Sequence, residues 1–273
     1  MEKHYTLRLD SALYSNGCAS YGTANPIKYS YAVFSRLKEI VDNYDSWKIS
    51  LDGSFRFHCT ECGKCCINRE DILLTPRDLC NASKAMNMIP PAFVNAYCEC
   101  YIGQDSRIPI VRLKPIGSIK RCPLLKDRKC SIHQAKPAVC AMYPVGRAVT
   151  IDKDSYNQDG VLSSQIQYIL NPITCGDQSE THTVRDWLNA FHIPLEDEFF
   201  LKWHGCIAEL SSFIRKEEKK IPEHVMNDLW TAVYIHLYLD YDLSAEFLPQ
   251  FERNAKDVLE LFHQLKELPE SAS

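Results

Sequence analysis

Four cysteines stand within eight residues in the run Cys59-Thr-Glu-Cys62-Gly-Lys-Cys65-Cys66. In a C-x-x-C unit two thiolates face one ion only if the backbone bends sharply between them. Gly63 supplies a residue that tolerates positive φ at that bend. Two such units overlap here and share Cys62. The adjacent Cys65 and Cys66 do not easily bind one ion in regular geometry. A second group follows at Cys122-Pro-Leu-Leu and at Cys130-Ser-Ile-His-Gln-Ala-Lys-Pro-Ala-Val-Cys140. Cys175, followed by Gly176, stands further along. Seven thiols would fill one four-ligand site and leave a remainder, whereas eight would fill two. His133 is either an additional ligand or a side chain at the solvent edge.

The chain has 273 residues and 13 cysteines. No secretory leader is read in the first thirty residues, and no apolar run is long enough to span a membrane, so a cytoplasmic location is expected. Disulfide staples do not persist in a reducing compartment, and an odd count cannot pair completely within one chain. A thioredoxin-like redox pair would need its C-x-x-C to open a helix inside a β-α-β unit, and no such unit surrounds Cys59. Metal ligation is the remaining use for the clustered thiols. Cys80, Cys98 and Cys206 lie among apolar residues and are expected to be buried packing groups; Cys18 and Cys100 are left unassigned.

Charge divides the chain as sharply as cysteine does. The net charge is +1 over residues 1–50, +7 over 51–150 and −12 over 151–273. Between Arg107 and Arg147 there are ten basic residues and one acid, Asp127. Basic side chains of this kind offset the negative charge of a thiolate-bound metal or cluster. A nucleic-acid surface is disfavoured, because no aromatic residues interleave with the basic ones to stack on bases.

Periodicity predicts helices over about 30–45, 76–88, 92–101, 183–191 and 195–219, another opened by Pro222, and a last one capped by Ser244. Thr75-Pro76 reads as an N-cap followed by the first helical residue. Short strands are expected near 47–51, 108–113, 145–151 and 165–170. The fold class is therefore α+β and mostly helical. An irregular, metal-stapled, cysteine-rich domain with short strands is expected to pack on a C-terminal helical subdomain. The divisions are 1–50, an N-terminal segment and helix; 51–180, the chelating domain; and 181–273, an acidic helical subdomain.

The motif C-x-x-C-G-x-C-C, then C-P-x-L, then C-S-I-x-x-x-x-P-x-x-C-x-x-Y-P, resembles the YkgJ cysteine-cluster family, a zinc- or iron-chelating domain also called CxxCxxCC. The motif runs from about Phe57 to Pro144. The resemblance implies Cys59, Cys62, Cys65, Cys66, Cys122, Cys130 and Cys140 as metal positions, with Cys175 as the further Cys-Gly of many members. The chain departs from the family at His133, where Tyr is usual, and at Lys136 and Ala141, where Arg is common. Some relatives are associated with flagellin lysine-N-methylase. No Gly-rich strand-to-helix turn of the kind that holds S-adenosylmethionine is present, nor a G-x-S-x-G elbow, an H-E-x-x-H helix or a P-loop.

Three readings follow. The first is a cytoplasmic cysteine-cluster protein holding an iron–sulfur cluster, such as [4Fe–4S], or zinc, with the metal mainly structural. Iron–sulfur is slightly preferred, because the set is rich in thiols and poor in histidine. The second is a cluster-dependent enzyme such as a protein lysine N-methyltransferase, for which no catalytic residue is assigned. The third is a structural zinc module whose acidic tail docks another protein.

Overall fold

The computed structural model describes residues 39–40, 42–156 and 162–266. The expected helix over 30–45 lies mostly outside these residues, and Cys18 lies wholly outside them; residues 42–47 are helical. The described fold is α+β, with its long helices toward the C-terminus.

Every strand pair among the described residues is antiparallel. β1 (Lys48–Ile49), β8 (Leu162–Leu170) and β7 (Val145–Tyr156) form a three-stranded sheet in the order β1-β8-β7. β2 (Ser54–His58) pairs with β9 (Asp177–Thr183), with a register shift between Arg56 and His58. β3 (Cys98–Ile102) pairs with β4 (Pro109–Leu113), and β5 (Leu125–Lys126) with β6 (Lys129–Cys130).

The helices begin where local chemistry starts them. In α1 (Pro76–Ala85), Thr75 accepts from the Asp78 N–H and Asp78 accepts from the Thr75 N–H, a reciprocal capping box with Pro at the first helical position. α2 (Pro90–Tyr97) ends earlier than the periodicity suggests, because residues 98–102 turn into β3 and pair with β4. Strand partners seven to fifteen residues further on override a run that is equally compatible with helix. α3 (Ala138–Ala141) is a single turn that carries Cys140. α4 (Val184–Ala190) is capped by Thr183, α5 (Glu198–Glu217) by Asp197, and α6 (Glu223–Tyr234) runs into a π turn at Ile235–Leu239. α7 (Phe247–Lys266) follows. Ser244 does not cap it; its hydroxyl and N–H both bond the Asp242 carboxylate in the preceding turn.

Two hydrophobic cores result. The first joins α1, α2 and β4 to α5, α6 and α7, and buries Leu79, Phe93, Val111, Leu210, Ile214, Leu237 and Phe251 almost completely. The stripe Phe199, Trp203, Cys206, Leu210, Phe213 points into it as the helical spacing requires. The second is smaller. It gathers Phe55 and Phe57 from β2, Tyr168 from β8, and Val184, Trp187 and Leu188 from α4. Trp187 meets both phenylalanines edge-on and donates its indole N–H to the Met142 carbonyl at 2.9 Å.

A buried ion triad ties the pieces together. Asp197, 1% exposed, accepts from Arg77 of α1 at 2.8 Å and from Arg147 of β7 at 2.8 Å while also capping α5. Phe199 and Phe200 lie under the two guanidinium groups. Burial opposes ionisation of Asp197, but the two arginines outweigh it and hold its carboxyl below the usual range.

Candidate metal centre

The candidate thiols come from five places in the fold. Cys59 and Cys62 leave the end of β2. Cys65 and Cys66 lie on the 3-10 turn Lys64–Cys66, which Gly63 opens at φ 71°. The bend expected at Gly63 is therefore present, and the Cys66 N–H closes it on the Gly63 carbonyl at 3.0 Å. Cys122 precedes β5 and Cys130 ends β6. Cys140 rides on α3, and Cys175 precedes β9. All eight line one cavity of about 830 Å³ measured out to open solvent. Cys59 is exposed, Cys175 is buried and the other six are half-buried. Among the described residues, no three His, Cys, Asp or Glu side chains already stand close enough together to hold an ion. The thiols line the walls of one space.

Backbone contacts brace the walls. The Cys122 N–H donates to the Cys66 carbonyl at 2.8 Å, which holds the two halves of the motif together. The Asp78 carboxylate accepts at both oxygens: one takes the Thr75 N–H and hydroxyl and completes the α1 cap, and the other takes the Ala138 N–H at 2.8 Å and so seats the turn bearing Cys140. Gly176 sits at φ 71°, and a Cβ there would fall 2.3 Å from the His58 carbonyl oxygen. Only glycine fits that approach, and the Gly176 N–H donates to the Cys62 sulfur.

The electrostatics suit bound thiolates. Apart from Glu61, every charged residue lining the cavity is basic: Arg69, Arg128, Lys129 and Lys136. Glu61 is itself paired with Lys129 at 3.2 Å. The sulfur atoms of Cys65 and Cys66 are 3.8 Å apart. A hydrogen bond from Cys66 holds the Cys65 thiol down at about 6, helped by Cys175, Arg69 and Lys136 against the cost of burial. The same bond, with burial, drives Cys66 the other way. Gly176 and Lys64 N–H groups lower Cys62. Burial raises Cys122, Cys130 and Cys140, and it pushes Cys175 up to about 11. Most of these thiols therefore keep their protons at neutral pH until a Lewis acid displaces them.

Residues other than the cysteines also contribute. The Tyr143 hydroxyl accepts from the Thr174 N–H at 2.8 Å and bonds the Cys175 sulfur. Thr60 bonds Cys62. His133 lines the same cavity, and burial followed by Lys136 lowers its pKa, which favours the neutral ring. Lys136 lies over the Phe191 ring, and Ala141 is buried in the second core. The three cysteines expected in packing roles are buried: Cys80 at 5%, Cys98 at 7% and Cys206 at 6% exposure. Cys98 reaches that position from a strand, not a helix.

Eight thiols with a basic rim on one cavity make a donor set suited to a soft metal. Residues 58–162 match the family model CxxCxxCC, described as a putative zinc- or iron-chelating domain. This is the domain that the cysteine spacing resembles. No curated protein and no solved structure matches the chain. Among the described residues, no helix is long and apolar enough to cross a membrane.

Proposed function

We propose that this protein is a cysteine-cluster protein that holds an iron–sulfur cluster, in preference to zinc, through Cys59, Cys62, Cys65, Cys66, Cys122, Cys130, Cys140 and Cys175. The observation that carries this reading is the gathering of all eight on one basic cavity from segments spread over more than a hundred residues. The donor set fits the group. It is almost entirely sulfur, and its cations offset the charge that thiolates and core sulfides leave. When bound, the metal supplies the cross-links that the short strand pairs do not; the chain supplies the thiolates, the N–H donors and the positive rim.

The test is anaerobic purification of the full chain with iron, sulfide and zinc counted per chain. A brown protein with about four irons per cluster, matched by sulfide, supports the iron–sulfur reading. A colourless protein loaded with zinc transfers the same eight thiols to zinc. A protein that takes up neither sinks the chelating role itself. Substitution Cys65→Ser or Cys66→Ser should lower the metal content, and full retention would refute their assignment.

A further inference from the structure

The eight thiols do not share one environment. Cys62, Cys65 and Cys175 belong with the second core, beside Phe57, Tyr143 and Trp187. Cys122, Cys130 and Cys140 pack against the first core, which includes Leu124 and Ile132. The bonding follows the same division, apart from the 3.8 Å contact between the Cys65 and Cys66 sulfurs, which crosses it. Cys65 is hydrogen-bonded to Cys175, and Cys62 takes the N–H of Gly176, the residue after Cys175. Cys66 instead holds the Cys122 N–H on its carbonyl and lies within electrostatic reach of Cys122 and Cys140. Cys59 is joined to Cys62 by its C-x-x-C spacing, directly after β2, whose Phe55 and Phe57 are in the second core.

From this we infer that the thiols serve two metal centres, one on each core. Cys59, Cys62, Cys65 and Cys175 hold one, and Cys66, Cys122, Cys130 and Cys140 hold the other. The inference rests on the chelating function proposed above. The peptide bond between Cys65 and Cys66 is the partition, and it lets neighbouring residues serve different centres. It is also where the centres come nearest, since the Cys65 and Cys66 sulfurs are 3.8 Å apart and Cys122, Cys130 and Cys140 each lie within electrostatic reach of Cys65. Each set supplies four thiols, the number that closes a tetrahedral zinc site or a [4Fe–4S] cluster. Each thiol that ligates gives up its proton to solvent.

The decisive measurement uses the unmodified, metal-loaded chain. A chelator removes metal stepwise, released thiols are alkylated, and mass spectrometry reports which cysteines are labelled together. Two sets of four with the stated membership are expected. Release of all eight at once, or labelling of Cys62 in step with Cys130, would overturn the division. Variants give a second readout. Cys175→Ser and Cys62→Ser should each leave about half the metal, as should Cys130→Ser and Cys140→Ser. The pair Cys62→Ser with Cys175→Ser should lose no more than one of them alone, whereas Cys62→Ser with Cys130→Ser should lose nearly all. A single variant that empties the protein means one shared centre. A wild-type chain that binds no metal fails the chelating function instead, so the two failures are distinct.

Discussion

The two cores are built from different materials. The first is closed by side-chain interdigitation: Leu79, Val111, Leu210, Ile214, Leu237 and Phe251 are at or near zero exposure, and helices and the π turn supply all but Val111, which comes from β4. The second has two short helices, a two-stranded pair and part of a three-stranded sheet; cysteines take part in its lining, as Cys122, Cys130 and Cys140 do at the edge of the first. An isolated strand pair is marginal in water. Under the proposed function, the difference is between a helical side held by apolar burial and a thiol side that bound metal cross-links. Metal removal should break the two sides apart most visibly. Chelation is expected to speed hydrogen exchange by orders of magnitude in β2, β5, β6 and β9, while α5 and α7 keep their protection. Equal loss of protection everywhere would show that the helical side leans on the metal too. As the converse, Phe251→Ala should cost about 3–5 kcal/mol in denaturant melts and leave the metal content of the folded protein unchanged.

The Asp197 triad is the joint between these sides, so breaking it should be nearly as costly. Asp197→Asn leaves Arg147, 4% exposed, with its charge unpaired. A loss of about 3–5 kcal/mol is expected. The folded-state pKa of Asp197 lies below its unfolded value. Its contribution is therefore complete above the unfolded carboxylate value of about 3.9 and is lost as pH falls through the folded one. Melting temperatures of wild type and variant should differ at neutral pH and converge under strong acid. A gap that stays constant into acid would show that the triad acts through shape and not through charge.

The helical side was the more legible in the sequence, for a physical reason. An amphipathic helix carries its evidence locally: the stripe from Phe199 to Phe213 repeats every three to four residues, and Thr75-Pro76 announces its own cap. Strands that pair across the chain carry no such mark. β2 and β9 are more than a hundred residues apart and were not expected, because the polar run Asp177–Thr183 becomes a strand only through its partner. Cys98–Ile102 reads as the continuation of a helix until β4 claims it. The cysteine motif itself was legible through its spacing. The roles of its supports were not: Tyr143 stands in the motif, but its bond to Cys175, like the reach of Asp78 to the turn carrying Cys140, is a contact that no local pattern encodes. The Cys-Gly at 175–176 was the exception, and its geometry explains why glycine stands there.

That geometry gives a smaller, local perturbation. Gly176→Ala places a methyl group against the His58 carbonyl in a backbone conformation that alanine disfavours. A cost of about 1–3 kcal/mol is expected, confined to the second core. Metal held by the Cys62 and Cys175 side should weaken, while helix content by circular dichroism should stay at the wild-type level. Unchanged metal affinity would mean that the β2–β9 junction yields freely and does not position Cys175.

The finest cut separates helix capping from thiol positioning at the start of α1. Thr75 and Asp78 share the capping box, but only Asp78 reaches on to the Ala138 N–H and the turn carrying Cys140. Thr75→Ala removes one side of the cap and should cost about 1 kcal/mol, with metal affinity intact. Asp78→Ala removes the cap and the anchor together and leaves the Ala138 N–H without its carboxylate partner. It should show the same loss of helix stability plus weaker metal retention. A competition titration against a chelator, run on both variants beside thermal melts, reads the two quantities separately. If both variants retain metal equally, the α1 terminus is a purely local device; if only Asp78→Ala loses it, the helical side does more than stand beside the thiols, because it sets the position of one of them.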